Sequence, residues 1–205
     1  MLAIASGKGG CGKTTTTLGL ATTLPGPALA VDLDRDAPNL LAMAGVETTA
    51  GDRSLTPGPE PGAARPHPTA DGVTLVPAPT RDDRPALLER LGGRAEAVLL
   101  DCPAGAGPDA AAPLRAATGV LLVSTLCLPA LRDAAKTAAM ARQLDTPVVG
   151  AVLARTRQSP PAVERLLGCP VLGTVPEGRP PVLESRVVRD AYERIVSVLR
   201  GKGLL

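Results

Sequence analysis

Residues 6–15 read Ser6-Gly7-Lys8-Gly9-Gly10-Cys11-Gly12-Lys13-Thr14-Thr15. From Gly7 to Thr14 they fit G-x-x-x-x-G-K-[ST], the spacing of a phosphate-binding loop. The residue types follow from the chemistry. Glycines at 7, 9, 10 and 12 let backbone N–H groups turn inward around an anion, where side chains would obstruct it. A helix opening near Lys13 would aim its positive dipole end and free N–H groups at the same point. Lys13 supplies charge to the outer phosphates, and the Thr14 hydroxyl can ligate Mg²⁺. The whole run from Gly7 through Cys11 to Thr15 is therefore the expected cradle. Lys8 puts a second cation inside the glycine run.

Carboxylates stand at two further positions. Ala28-Leu29-Ala30-Val31-Asp32-Leu33-Asp34 ends an apolar run with two acids. Strand alternation sends Asp32 and Asp34 to one face, so one of them is free for a structural task. Ala97-Val98-Leu99-Leu100-Asp101-Cys102-Pro103-Ala104-Gly105 ends a second buried run with one acid. Asp101, at a strand's carboxyl end, suits holding Mg²⁺ through water.

Taken together, K-G-G-x-G-K-T at Lys8–Thr14, the Asp32-x-Asp34 pair and Asp101-Cys102-Pro103 resemble the deviant Walker A ATPases of the MinD/ParA group. Asp101-x-Pro103-Ala104-Gly105, Pro38-Asn39-Leu40, Arg132-Asp133-Ala134 and Val175-Pro176-Glu177 look closer to the MinD branch. The resemblance implies a P-loop ATPase that takes ATP and Mg²⁺ and dimerises when ATP is bound. It implies that Lys8 reaches the phosphates held by the other subunit, and that Lys13 stabilises charge there. It further implies that Asp34 positions or polarises the attacking water, with a water-mediated contact to Mg²⁺ as the alternative. The family often places Asn before Arg at its adenine site; here the pair is Ala154-Arg155, which makes Arg155 the candidate base-site residue. A role in spatial positioning, with an activating or cargo protein of unspecified identity, is the expected function. Relatives of the ParA type bind DNA non-specifically. Residues 151–205 carry nine Lys/Arg against five acids, so an electrostatic DNA contact is the competing reading. Metal and iron–sulfur carriers share the fold but pair their cysteines, and only Cys102 lies beside a motif. Direct membrane anchoring is not expected, because only Gly201–Leu205 follow the last amphipathic stretch.

These groups need a scaffold, and the pattern supplies one. Apolar runs at Leu2–Ser6, Ala28–Asp32, Val73–Pro77, Ala97–Asp101, Gly119–Ser124, Val148–Leu153 and Val171–Val175 read as buried strands. Between them, Lys13–Leu24, Arg84–Leu91, Ala110–Ala117, Ala130–Leu144 and Pro161–Leu167 read as helices, with a last one from about Leu183 to Arg200. Strand–helix alternation with continuously apolar strands predicts a three-layer α/β fold: a mostly parallel twisted sheet of about seven strands, helices on both faces. One P-loop domain over 1–205 is expected, with the Pro/Gly-rich segment 51–72 as a surface loop. The final stripe of Leu183, Val187, Val188, Ala191, Ile195, Val196 and Leu199 reads as packing on the sheet.

Composition narrows the chemistry. The 205 residues carry a net charge of +2, 22 Gly, 22 Pro, one Tyr, and neither Phe nor Trp. Base stacking on aromatic platforms and aromatic cages for quaternary ammonium groups are excluded. The longest uncharged apolar stretch, Gly119–Leu131, falls short of the ~20 residues of a membrane span. Gly7–Gly10 interrupts the first apolar run too early for a signal segment. Four dispersed cysteines and one histidine form neither a disulfide framework nor a zinc site, so buried reduced thiols and a cytoplasmic setting are expected.

Overall fold

The computed structural model describes residues 1–46, 64–80, 82–94 and 96–205. Of the expected surface loop at 51–72, residues 51–63 lie outside those described. The strands are β1 (Leu2–Ala5), β2 (Ala28–Asp32), β3 (Arg65–Pro66), β4 (Val73–Val76), β5 (Ala97–Asp101), β6 (Gly119–Thr125), β7 (Val148–Ala154) and β8 (Val171–Val175). The helices are α1 (Lys13–Thr23), α2 (Leu40–Met43), α3 (Arg84–Leu91), α4 (Pro108–Ala116), α5 (Leu128–Gln143), α6 (Pro161–Leu167) and α7 (Arg186–Gly201). The strands form one sheet in the order β3-β4-β2-β5-β1-β6-β7-β8. Every pairing is parallel except β3 with β4. The sequence predicts seven of these strands. The eighth, β3, is a two-residue antiparallel edge, a place in a sheet where a proline need cost no ladder bond.

Alternation along each strand divides the core. Leu2 and Ile4 of β1 and Leu99 of β5 face α1 and α7, where Leu18, Leu20, Ile195 and Leu199 are buried. Ala3 and Ala5 of β1 and Leu100 of β5 face α3–α6, against Leu88, Leu114, Ala134, Ala138 and Val163. Burial on both faces is why these strands lack a polar alternate position. Val188, Ala191, Ile195, Val196 and Leu199 of α7 are buried as the stripe predicts, but Val187 is 45% exposed and turns to solvent. Among the described residues, no helix is long and apolar enough to cross a membrane.

The single aromatic residue joins α7 to α1. Tyr192 is 1% exposed, and its hydroxyl lies 3.3 Å from that of Thr16. A Cβ on Gly19 would come within 2.4 Å of the ring, so only glycine admits this approach. Burial pushes the Tyr192 hydroxyl up to about 12 from its ordinary 10.0, although the Thr16 contact opposes this. The folded state therefore keeps its proton at pH values where the unfolded chain has released it. The resulting stability is whole below about pH 10 and is lost as pH rises toward 12, on the order of 2–3 kcal/mol. With one tyrosine and no tryptophan, tyrosinate absorbance and far-UV circular dichroism followed through an alkaline titration should change together. Tyrosinate formation well before unfolding would contradict this account.

Candidate nucleotide site

The site forms where the sheet's connections diverge. β1 lies between β5 and β6, and the loop leaving its carboxyl end runs into α1. Such a crevice at the carboxyl ends of parallel strands is where open α/β sheets bind ligands. The loop is braced on two sides. The Gly105 N–H, from the segment after β5, donates to the Ser6 carbonyl at 2.9 Å. On the α5 side Gly7 packs so closely that a Cβ there would lie 2.0 Å from the Asp133 carbonyl carbon. Within the loop the Ser6 hydroxyl donates to the Lys8 carbonyl at 2.8 Å.

Gly10 and Gly12 adopt φ +75° and +93°, backbone that L side chains rarely take, and Gly9 and Gly10 border open space. Gly12 caps α1 without a side-chain hydrogen bond, and no acid occupies the first turn. The first-turn N–H groups, Lys13 to Thr15, are thus left for an external acceptor. Cys11 is buried against the protein, so within the loop it serves packing and its backbone. Lys13 is 7% exposed, and no carboxylate of the described residues lies within ion-pairing distance of it. An ammonium with no carboxylate to neutralise it is available to an incoming anion. Lys8 is exposed.

The acids are sorted by their hydrogen bonds. Asp32, 2% exposed, accepts N–H bonds from Asp34 (3.0 Å) at Oδ1 and from Asn39 and Leu40 (both 3.1 Å) at Oδ2. Burial raises it to about 6 against the pull of those three bonds. It is the structural member of the pair, tying the loop after β2 to the start of α2. Asp34, half-buried, accepts one bond among the described residues, from the Ala37 N–H at 3.2 Å.

Asp101 sits opposite Asp32 in the β2–β5 register and is 1% exposed. Its Oδ1 receives the Thr17 hydroxyl at 3.4 Å, while its Oδ2 is buried with no partner among the described residues. Burial pushes Asp101 up to about 7; the Thr14 hydroxyl opposes the rise, Asp32 adds to it and Lys13 opposes it. An orphaned carboxylate oxygen beside a threonine hydroxyl fits a hard, oxygen-seeking cation held through water, so these residues suit Mg²⁺.

Two placements refine expectations. Arg155, at φ +58°, donates from its guanidinium to the Gly10 carbonyl at 2.9 Å, so it holds the phosphate loop from the β7 side. The four cysteines are free; Cys11, Cys102 and Cys169 are buried and Cys127 is exposed. Burial pushes the Cys102 thiol far up, which makes it inert at neutral pH. The Thr125 hydroxyl, the Ala130 N–H and the Lys8 charge hold Cys127 below the usual thiol range. Sequence reasoning passes over Thr17, the bracing bond that Gly105 makes, and the side chain of Asn39, whose Oδ1 accepts the Thr14 hydroxyl at 2.9 Å. Only Asn39 carries a legible signal, as a cap-type residue directly before Leu40-Leu41.

Comparison with known proteins agrees with this geometry. Residues 2–180 match the family model described as CobQ/CobB/MinD/ParA nucleotide binding domain. An uncharacterized ATP-binding protein of Methanocaldococcus jannaschii is 33% identical, over 86% of this chain and 74% of that protein. An iron–sulfur cluster carrier protein of the same organism is 28% identical, over 74% of this chain and 58% of its own length. The solved structure of the septum site-determining protein MinD of Pyrococcus horikoshii, complexed with Mg-ADP, superposes with a TM-score of 0.83 at 25% identity, covering 98% of this chain and 96% of that one. The chain belongs to the CobQ/CobB/MinD/ParA family of P-loop nucleotide-binding proteins.

Proposed function

We propose that this protein is a Mg²⁺-dependent ATPase of the MinD/ParA type, working as an ATP-controlled dimerisation switch. One observation carries the reading: a lysine with no ion pair among the described residues (Lys13), a glycine backbone cradle and a buried carboxylate oxygen with no partner among those residues (Asp101 Oδ2) meet in one crevice. In this reading the N–H groups of Gly9–Thr15 surround the phosphates and Lys13 bears on the outermost of them. Thr14 and, through water, Asp101 would hold Mg²⁺, which when bound would neutralise charge on the phosphate oxygens. Asp34 orients the attacking water, because its neighbour Asp32 is already committed to three backbone bonds. Lys8, exposed within the loop, would reach phosphates held by a second copy of the chain. Closure on ATP and release after hydrolysis would then couple the site to a cargo or activating protein. Arg155 would support the nucleotide indirectly, by bracing the loop that holds its phosphates.

Asp34→Ala tests the switch. The variant should bind ATP normally, release phosphate on the order of 10²-fold more slowly, and accumulate as dimer in ATP. Light scattering after gel filtration, together with phosphate release, reads both consequences. Native turnover would remove Asp34 from its role. A DNA-binding variant of this reading rests on the arginine-rich stretch 151–205, and the same chromatography with duplex DNA, with and without ATP, distinguishes it.

A further inference from the structure

We infer that Asn39 is a positioning residue for the metal: its carboxamide oxygen takes the Thr14 proton and so keeps the Thr14 lone pairs turned toward Mg²⁺. The inference rests on the reading of Thr14 and Asp101 as the Mg²⁺ site. A threonine hydroxyl has one proton and two lone pairs, and it binds a cation only through the latter. Two acceptors compete for that proton. One is Asn39 Oδ1, at 2.9 Å. The other is the Asp101 carboxylate, close enough to feel the Thr14 hydroxyl. Donation to Asp101 would occupy a carboxylate oxygen that the metal's water needs and would swing the Thr14 lone pairs away. Donation to Asn39 leaves both groups available.

Asn39 is itself well placed to act as a fixed acceptor. Its N–H and that of Leu40 are both tied to Asp32 Oδ2 at 3.1 Å, and its carbonyl accepts the Met43 N–H at 2.9 Å. The backbone is thus pinned from β2 on one side and α2 on the other. Its side chain is exposed, so replacing it leaves the core untouched. Outer groups that orient a metal's ligands typically change metal affinity by about 10–100-fold when lost.

The test uses calorimetric titration of the full chain with ADP, first in EDTA and then at stepped Mg²⁺ concentrations. Asn39→Leu, close in shape but without an acceptor, should keep the native ADP affinity in EDTA. It should lose about tenfold of the enhancement that Mg²⁺ confers. Asn39→Asp keeps the acceptor and should retain the enhancement in full, with both variants melting at the native temperature. A purely structural role would not separate the two substitutions. Native Mg²⁺ enhancement in Asn39→Leu would overturn the inference, as would an equal loss in EDTA. If the unsubstituted protein gains nothing from Mg²⁺, the metal reading itself falls, and this inference with it.

Discussion

Lys13→Ala is expected to lose ATP and ADP binding almost completely while the protein stays folded. The side chain is 7% exposed, lies within reach of the Asp101 carboxylate field, and has no ion-pair partner among the described residues. With no ion pair to lose, folding gains little from the ammonium, so the cost of alanine should be confined to the packing of the lysine stem. A bound triphosphate reverses that balance. Removing one partner of a buried charge pair costs about 2–5 kcal/mol, which corresponds to roughly 30-fold to several-thousand-fold in affinity. Calorimetry with ADP and a melting curve on the same sample separate the two effects. ADP affinity within about threefold of native would show that the phosphates are held elsewhere. A large drop in melting temperature would show that Lys13 has a structural partner.

The seven parallel strands are legible because each is a short Val, Leu, Ile or Ala run ended by a residue that breaks it. β2, α3, β5, α6 and β8 have the predicted bounds, where Gly, Pro or Asp mark their ends. Helix starts are less legible where proline intervenes. α4 opens at Pro108 and α5 at Leu128 with Pro129 in its first turn, each two residues ahead of the expected start. Proline suits a first turn because the N–H it lacks would have no intrahelical acceptor. At the other end of the chain, Val182–Glu184 form a separate 3-10 turn, so α7 starts at Arg186 rather than Leu183. α2, at four residues, is too short for any period to show.

The site divides along similar lines. Spacing along the chain identifies the loop from Gly7 to Thr15, since its chemistry is local. The division of labour between Asp32 and Asp34 is not local. It depends on which carboxylate the returning chain at Asn39 and Leu40 meets, seven and eight residues later. Arg155 is further still, since only the adjacency of β7 to the loop sets its guanidinium on the Gly10 carbonyl. Long-range pairings of this kind leave no periodic trace in a single sequence.

The four loop glycines are expected to separate sharply under substitution. Gly7→Ala should be among the most damaging changes in the chain. Its Cβ would fall 2.0 Å from the Asp133 carbonyl carbon, 2.2 Å from the oxygen and 2.4 Å from the Ala134 nitrogen, all backbone. No rotamer change relieves a clash between main chains, so the loop or α5 must move. α5 is fixed by Leu131, Ala134, Ala138 and Ala141 in the core, which leaves the loop to yield. The first strand would then lose its register with the Gly105 segment, whose N–H bonds the Ser6 carbonyl. Overpacking of this severity costs about 3 kcal/mol or more, and ADP binding should disappear with the displaced cradle. Gly9→Ala meets nothing of the described residues within 4 Å and has no positive φ to strain, so its melting temperature should stay native. Any loss it shows should be confined to nucleotide affinity, since a methyl there intrudes only on a bound phosphate. Gly10 and Gly12 fall between, at about 1–2 kcal/mol each, because their left-handed backbone strains any side chain. Melting curves and ADP titrations on Gly7→Ala and Gly9→Ala decide the matter. Equal destabilisation would mean that chain flexibility, rather than the approach of α5, dictates glycine at position 7.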